Sequence, residues 1–345
     1  MHASLDRAVR DIAHLQKGLE EAGRAVKGAK AFPEAEGAPF SGSVAAVDGG
    51  IVAEELHSVD LVLGRACAAV FRYENGKLKG HSHFPSAFPP HETTVEYSLE
   101  SHEFNLLKEL VRLESEISTA AKTVEKHSPD ALFLDGSIVP LPMAKPAGES
   151  PLCARWDSLV EWYKRLFALS DETGCEIAGI VKDSRSKQYI CSLQAGADTA
   201  KLVAPYSDFL SKTNDSSFLY AVLEPGQRTP AFDYSQKDTP VLRDFGKYAA
   251  RIAALYLQAV KYDRPLRVEF LRSGKAGQEE KIASLVYSLS KTNRQYGYPA
   301  VLIEADLRAA ADPRELEIVR QKITDKLGPG AASVFRLRRN TRPFR

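Results

Sequence analysis

Two short apolar runs, residues 43–48 (SVAAVD) and 131–135 (ALFLD), each end in an aspartate followed by glycine. Short runs rich in small and β-branched residues predict strands buried on both faces. A carboxylate at the end of such a strand projects from the rim of a sheet, and the following glycine lets backbone or ligand approach closely. Asp-Gly is also an ordinary turn dipeptide, so each pair alone is ambiguous. Together they direct the reading of the rest of the chain.

A third buried strand is expected at 176–181 (EIAGIV), and late strands at 267–271 and 300–304. Residues 52–63 and 65–73 read as antiparallel partners of the first strand, with Glu74-Asn75-Gly76 as a turn. Helices are expected at 99–127, stopped by Pro129, at 156–169 and at 278–296. The stretch 195–240 reads as loop-rich, with short strands near 219–223. Strands and helices alternate, but the first strands form a meander. The expected fold is therefore α/β, a mixed sheet flanked by helices.

Residues 4–30 predict one amphipathic helix, with Leu5, Val9, Ile12, Leu15 and Leu19 at helical spacing. The Pro/Gly-rich stretch 32–42 ends it. The expected organisation is a helical arm and linker over 1–42, a main domain over 43–330 and a basic tail over 331–345. The arm is read either as a first helix of the domain or as a surface for a second copy of the chain.

Composition removes several classes. The 345 residues carry 46 Lys+Arg and 45 Asp+Glu, a net charge of +1, so bulk charge does not announce a nucleic-acid binder. Cys67, Cys153, Cys175 and Cys191 form no CxxC pair, which leaves zinc-knuckle and redox readings unsupported. Read as reduced and mostly buried, they point to the cytoplasm. No apolar run approaches the roughly 18 residues of a membrane span, and no signal-peptide core is evident. GxxxxGK[ST], GxGxxG after a strand, GxSxG and HExxH are all missing, so the chain is not expected to hydrolyse ATP itself.

Asp48 and Asp135 on neighbouring strands could share a divalent cation, since hard oxygen donors suit Mg²⁺ or Mn²⁺. Two such ions about 4 Å apart could activate a water and stabilise the leaving oxygen of a phosphodiester. A third carboxylate could come from the long helix, through Glu114 or Glu116; Glu116 shares a side with Ala120 and Thr123. Lys182, with Arg185 near it in IVKDSRS, could neutralise a substrate phosphate. His81 and His83 alternate as strand ligands would, with His91 and His102 beyond, but the surrounding prolines predict a loop. The arginine-rich tail, Arg336 to Arg345, could touch a phosphate backbone.

In this order, AAVDGG, an acidic helix, LFLDGS, GIVKDSRS and YPAVLIEAD resemble the NurA family of nucleases, from about Ser43 to about Ala311. The resemblance implies an RNase H-like fold and a 5′-to-3′ DNA exonuclease with single-strand endonuclease activity. It also implies dependence on Mn²⁺, with Mg²⁺ as the alternative ion. The partners it implies are DNA, a second copy of the chain in a homodimer, and the hexameric HerA ATPase, in the setting of DNA end resection and double-strand break repair. By motif match, Asp48, Glu116 (or Glu114) and Asp135 are the expected ligands, and Lys182 and Tyr298 join the expected catalytic set. Asp306 falls where many members carry a histidine, and is expected either as a ligand just past a strand or as the N-cap of a following helix. The first block reads Asp-Gly-Gly where Asp-Gly-Ser is common. Two other readings stay open: a non-catalytic scaffold that binds nucleic acid, and an RNase H-like enzyme acting on RNA or hybrids.

Overall fold

The computed structural model describes residues 2–97, 99–234 and 239–335. The chain opens with α1 (His2–Ala29), then β1 (Gly42–Glu55), β2 (Asp60–Glu74), β3 (Lys77–Phe84) and β4 (Glu92–Glu96). Next come α2 (Ser101–His127), β5 (Ala131–Asp135), α3 (Cys153–Thr173) and β6 (Glu176–Val181). A run of short helices follows: α4 (Gln188–Ala195), α5 (Ala197–Val203), α6 (Ser207–Ser211) and α7 (Asp215–Tyr220). After β7 (Phe232–Asp233) and α8 (Pro240–Asp244) come β8 (Ile252–Leu257), β9 (Leu266–Leu271) and α9 (Gln278–Ser290). The chain then forms α10 (Ala300–Ala309), α11 (Arg314–Leu327) and α12 (Ala331–Phe335). It is an α/β protein whose sheet strands run in mixed directions.

Two compact units share the chain. One comprises residues 1–40, 178–237 and 250–300; the other comprises 41–177, 238–249 and 301–345.

In the second unit β1 is the hub, antiparallel to β2 and parallel to β5. β3 and β4 both pair with β2. The parallel pairing of β1 and β5 requires a crossover, and α2 supplies it. Its inward stripe of Phe104, Leu107, Leu110, Val111, Leu113, Ile117, Ala120 and Val124 is buried. The helix ends at Ser128, which takes the left-handed conformation and donates its N–H to the Val124 carbonyl.

In the first unit β6, β9, β8 and β7 follow one another, all antiparallel. The inner half of α1 buries Leu19, Ala22 and Val26 among Tyr189, Leu193, Val203, Phe218 and Val222. Its outer half leaves Leu5, Val9 and Ile12 exposed.

Five expectations change. The first strand does not turn at Asp48-Gly49-Gly50: β1 runs through to Glu55 and pairs in register with β2 throughout, Asp48 opposite Cys67. The turn comes at 56–59, closed by Leu56 N–H donating to the Val59 carbonyl, so 52–63 is not one strand. His81 and His83 lie on a strand, β3, rather than in a loop. Residues 219–223 are not strands, because α7 occupies Asp215–Tyr220 with Asn214 capping it. Residues 300–304 are helical, since the burial of Val301, Leu302, Ala305 and Ala309 follows helical spacing rather than alternation. β8 was not anticipated. Most of the expected basic tail, residues 336–345, lies outside the described residues.

Candidate active site

Asp48, Glu116, Asp135 and Asp306 all belong to the second unit. The parallel ladder of β1 and β5 sets Val47 opposite Leu134, so the next residues along, Asp48 and Asp135, follow side by side. Asp48 therefore sits in mid-strand on β1 while Asp135 ends β5. Burial, and after it the charge of Asp135, pushes the Asp48 carboxyl from its ordinary 3.8 up to about 7. A hydrogen bond with Asp306 and the Asp306 charge act in the same sense. The Gly49 N–H, donating to Asp48 Oδ1 at 2.8 Å, acts against them.

Glu116 is the one carboxylate in the buried stripe of α2. Arg112, one turn earlier, donates from Nη1 to Glu116 Oε1 at 2.5 Å and from Nη2 to Glu109 Oε1 at 2.7 Å. Burial raises the Glu116 carboxyl to about 8; Arg112 opposes the rise and the Asp48 charge adds to it. A methyl group on Gly49 would stand 2.6 Å from Glu116 Cγ and 2.8 Å from Oε1, so the bare backbone of β1 makes room for this side chain. Glu114 faces elsewhere. It accepts from Arg155 Nη1 at 2.6 Å and Ser158 Oγ at 2.9 Å, which fastens α2 to α3.

Asp306 lies within α10, so neither expectation for its setting survives: it is not past a strand end, and it caps no helix. The inward residues Val301, Leu302, Ala305 and Ala309 seat the helix, and Asp306, on its exposed side, still reaches Asp48. Glu304 on the same helix pairs with His83 Nε2 at 2.9 Å and accepts from Arg308 Nε at 2.8 Å. His91 Nδ1 lies 3.1 Å from Glu315 and His102 Nδ1 3.4 Å from Glu100. Each of these histidines thus engages a different carboxylate.

Lys182 and Tyr298 belong to the first unit. Tyr298 is buried, and its hydroxyl donates to the Ile180 carbonyl at 3.3 Å. Lys182 Nζ lies 4.2 Å from the centroid of that ring, a cation–π contact. In the same unit a buried network joins Arg267 Nε to Glu269 at 2.6 Å, and Tyr256 donates to Asp215 at 3.0 Å. Sequence reasoning missed this network and missed Arg112. The latter was readable, because Arg112 and Glu116 stand four apart on a helix.

Among the described residues, no three His, Cys, Asp or Glu side chains converge closely enough to hold a metal ion as they stand. The chemistry of the groups that meet nevertheless suits a hard divalent cation: Asp48, Asp135 and Asp306 are all carboxylates. Asp48 and Asp306 meet through a hydrogen bond, an arrangement that like charges sustain only with a proton or a cation between them.

The NurA domain model matches residues 42–310 of this chain. The chain belongs to the NurA family. The NurA nuclease of Sulfolobus solfataricus has a similar fold: 15% sequence identity, 94% of each chain covered and a TM-score of 0.60. A second NurA crystal structure matches at 11% identity, covering 96% of this chain and 99% of that one, with a TM-score of 0.55. A NurA crystallised with manganese matches at 12% identity, 95% and 100% coverage, and a TM-score of 0.53. No curated protein sequence matches the chain. No helix among the described residues is long and apolar enough to cross a membrane.

Proposed function

We propose that this NurA-family chain is a metal-dependent nuclease that cleaves phosphodiester bonds of DNA, with Mn²⁺ as its preferred ion. The observation that carries this reading is the meeting of Asp48 with Asp306 beside Asp135; burial first, and these neighbouring carboxylates after it, raise the Asp48 carboxyl to about 7. A carboxyl cluster that holds a proton this firmly repels a second negative charge and is relieved by a cation. Asp48, Asp135 and Asp306 would hold the ion. A bound divalent cation supplies Lewis-acid charge at the phosphate and lowers the pKa of an attacking water.

The chain's own residues have separate tasks. Glu116, buried and gripped by Arg112, keeps a carboxylate edge fixed against Gly49 and within range of the Asp48 charge, suited to orienting a water or completing the ligand set. Burial raises its carboxyl to about 8, so it is largely protonated at neutral pH and would accept a proton only once ionised, at higher pH or beside a bound cation. The roles given to Lys182, as a charge for the substrate phosphate, and to Tyr298 rest on the family motifs. Exonuclease polarity, single-strand endonuclease activity, a homodimer, a HerA-like hexameric ATPase partner and a place in end resection also rest on the family resemblance. So does the division into arm, nuclease domain and basic tail.

The test is degradation of end-labelled single- and double-stranded DNA and RNA with Mn²⁺, Mg²⁺ or EDTA. DNA cut with Mn²⁺ and spared with EDTA is the expected result. Cleavage confined to RNA or hybrids would move the substrate class, and no cleavage with no Mn²⁺ binding would make the chain a scaffold.

A further inference from the structure

Asp48 and Gly50 stand two apart on β1 and so share one face of the strand. Asp306 and Ala309 stand three apart in the last turn of α10, and it is the main-chain carbonyl of Ala309, not its inward side chain, that comes to the strand. Strand and helix meet at two neighbouring rungs. At one, Asp306 hydrogen-bonds with Asp48; at the other, the Ala309 carbonyl rests on Gly50.

The second rung leaves no space. A Cβ at position 50 would lie 2.1 Å from the Ala309 oxygen, 3.0 Å from its carbonyl carbon and 3.0 Å from the Ala311 nitrogen. All three are main-chain atoms, so no change of rotamer relieves the contact and the end of the helix must move. The Ala310 N–H donates to the Asp306 carbonyl at 3.0 Å, so that last turn carries Asp306 with it. Gly49 differs in kind, because the atoms crowding it belong to the Glu116 side chain.

We propose that Gly50 is a positioning residue of the acidic site: its missing side chain sets the strand-to-helix distance at which the short Asp306 carboxylate reaches Asp48. This role rests on the cation-site reading given above. A side chain at position 50 would hold α10 away, and aspartate has no further methylene with which to follow.

The test uses the full chain as wild type, Gly50→Ala, Asp306→Glu and the double variant, with Mn²⁺ binding measured by isothermal titration and folding by circular dichroism. Gly50→Ala is expected to weaken Mn²⁺ about 10–100-fold, the range for groups that orient ligands. Asp306→Glu alone is expected to weaken it too, because the longer side chain overreaches at the native spacing. The double variant should recover most of the affinity, which a merely structural role for Gly50 would not produce. Native-like binding by Gly50→Ala, or no recovery in the double variant, would overturn the role. Should Gly50→Ala fail to fold, Asp306→Glu still decides, since undiminished binding there shows that the spacing does not select aspartate. The Asp48–Asp306 Cα separation in crystals of Gly50→Ala gives a metal-free answer: widening supports the role and an unchanged distance overturns it. A wild-type chain that binds no Mn²⁺ overturns the cation-site reading and leaves that crystallographic answer standing.

Discussion

Arg112 holds Glu116 from one turn away on α2, with Nη1 2.5 Å from Oε1, and the carboxylate so held lies against the Gly49 backbone. The pair makes a buried charge tolerable at the centre of an apolar stripe. Arg112→Ala is expected to destabilise the protein by about 1–3 kcal/mol, because it strands a buried acceptor. Glu116→Gln should cost less, since the amide oxygen still accepts from Arg112 and no desolvated charge remains. Urea melts of the two variants check the order. Equal losses would mean that the pair is not what holds Glu116.

Glu114 and Glu116 should separate cleanly. Glu114 is committed to Arg155 and Ser158, so Glu114→Ala is expected to cost about 1 kcal/mol while cleavage per folded molecule is retained. Glu116→Ala should remove most cleavage. Single-turnover rates on labelled DNA, normalised to folded protein, distinguish them, and the reverse pattern would exchange the two roles.

Asp48 makes stability depend on pH in a definite direction. Its carboxyl titrates near 3.8 when unfolded and at about 7 when folded, so between those values the folded chain binds more protons. Stability without metal is therefore greatest below about pH 4 as far as this group is concerned, and falls as pH rises toward 7. Glu116, raised to about 8, contributes with the same sign over a range reaching slightly higher. Thermal melts in EDTA should show this decline between pH 5 and 8. Asp48→Asn should flatten it, and Mn²⁺ should reverse it by favouring the ionised form. A wild-type melting temperature in EDTA that rises over this interval as steeply as that of Asp48→Asn would remove the effect.

Much of this was legible in the sequence, and the failures have physical causes. α2 and β5 were visible because an apolar stripe stopped by proline, and a short buried run, are strong local patterns. β1 was cut short because Asp-Gly-Gly is a turn signal, yet fourteen residues pair with β2 and the ladder overrides local preference. The segment VLIEAD carries residues that suit a strand, but burial of Val301, Leu302, Ala305 and Ala309 seats it as a helix. Asp306 was therefore singled out as a residue while its element was misread. Gly50 was invisible as a contact, since nothing local announces that a distant helix end will rest on it.

Gly49→Ala should affect chemistry more than folding. The new methyl would meet Glu116 Cγ and Oε1, side-chain atoms whose shift leaves the backbone of both elements in place. The melting temperature is expected to change by a few degrees at most, corresponding to about 1 kcal/mol. Cleavage should fall because Glu116 is displaced from its place against β1. Measured kcat and KM should show the loss mainly in kcat; a loss confined to KM would place Glu116 in substrate binding instead.

Asp306 gives the sharpest contrast. Because it lies in mid-helix, asparagine there loses no capping bond, and its exposed side of α10 imposes no packing cost. Asp306→Asn also removes a negative charge that raises the Asp48 carboxyl, so the metal-free protein should be as stable as wild type or slightly more stable at pH 8. Mn²⁺ affinity should fall by at least about tenfold, since a neutral amide is a poorer partner for a hard cation than a carboxylate. Titration calorimetry and thermal melts on the same samples read both effects. A variant that binds Mn²⁺ and cuts DNA like wild type would leave Asp306 as a neighbour of Asp48 and no ligand. One that binds poorly because it has unfolded would show a lower melting temperature in EDTA, opposite to the direction expected from relieving the charge.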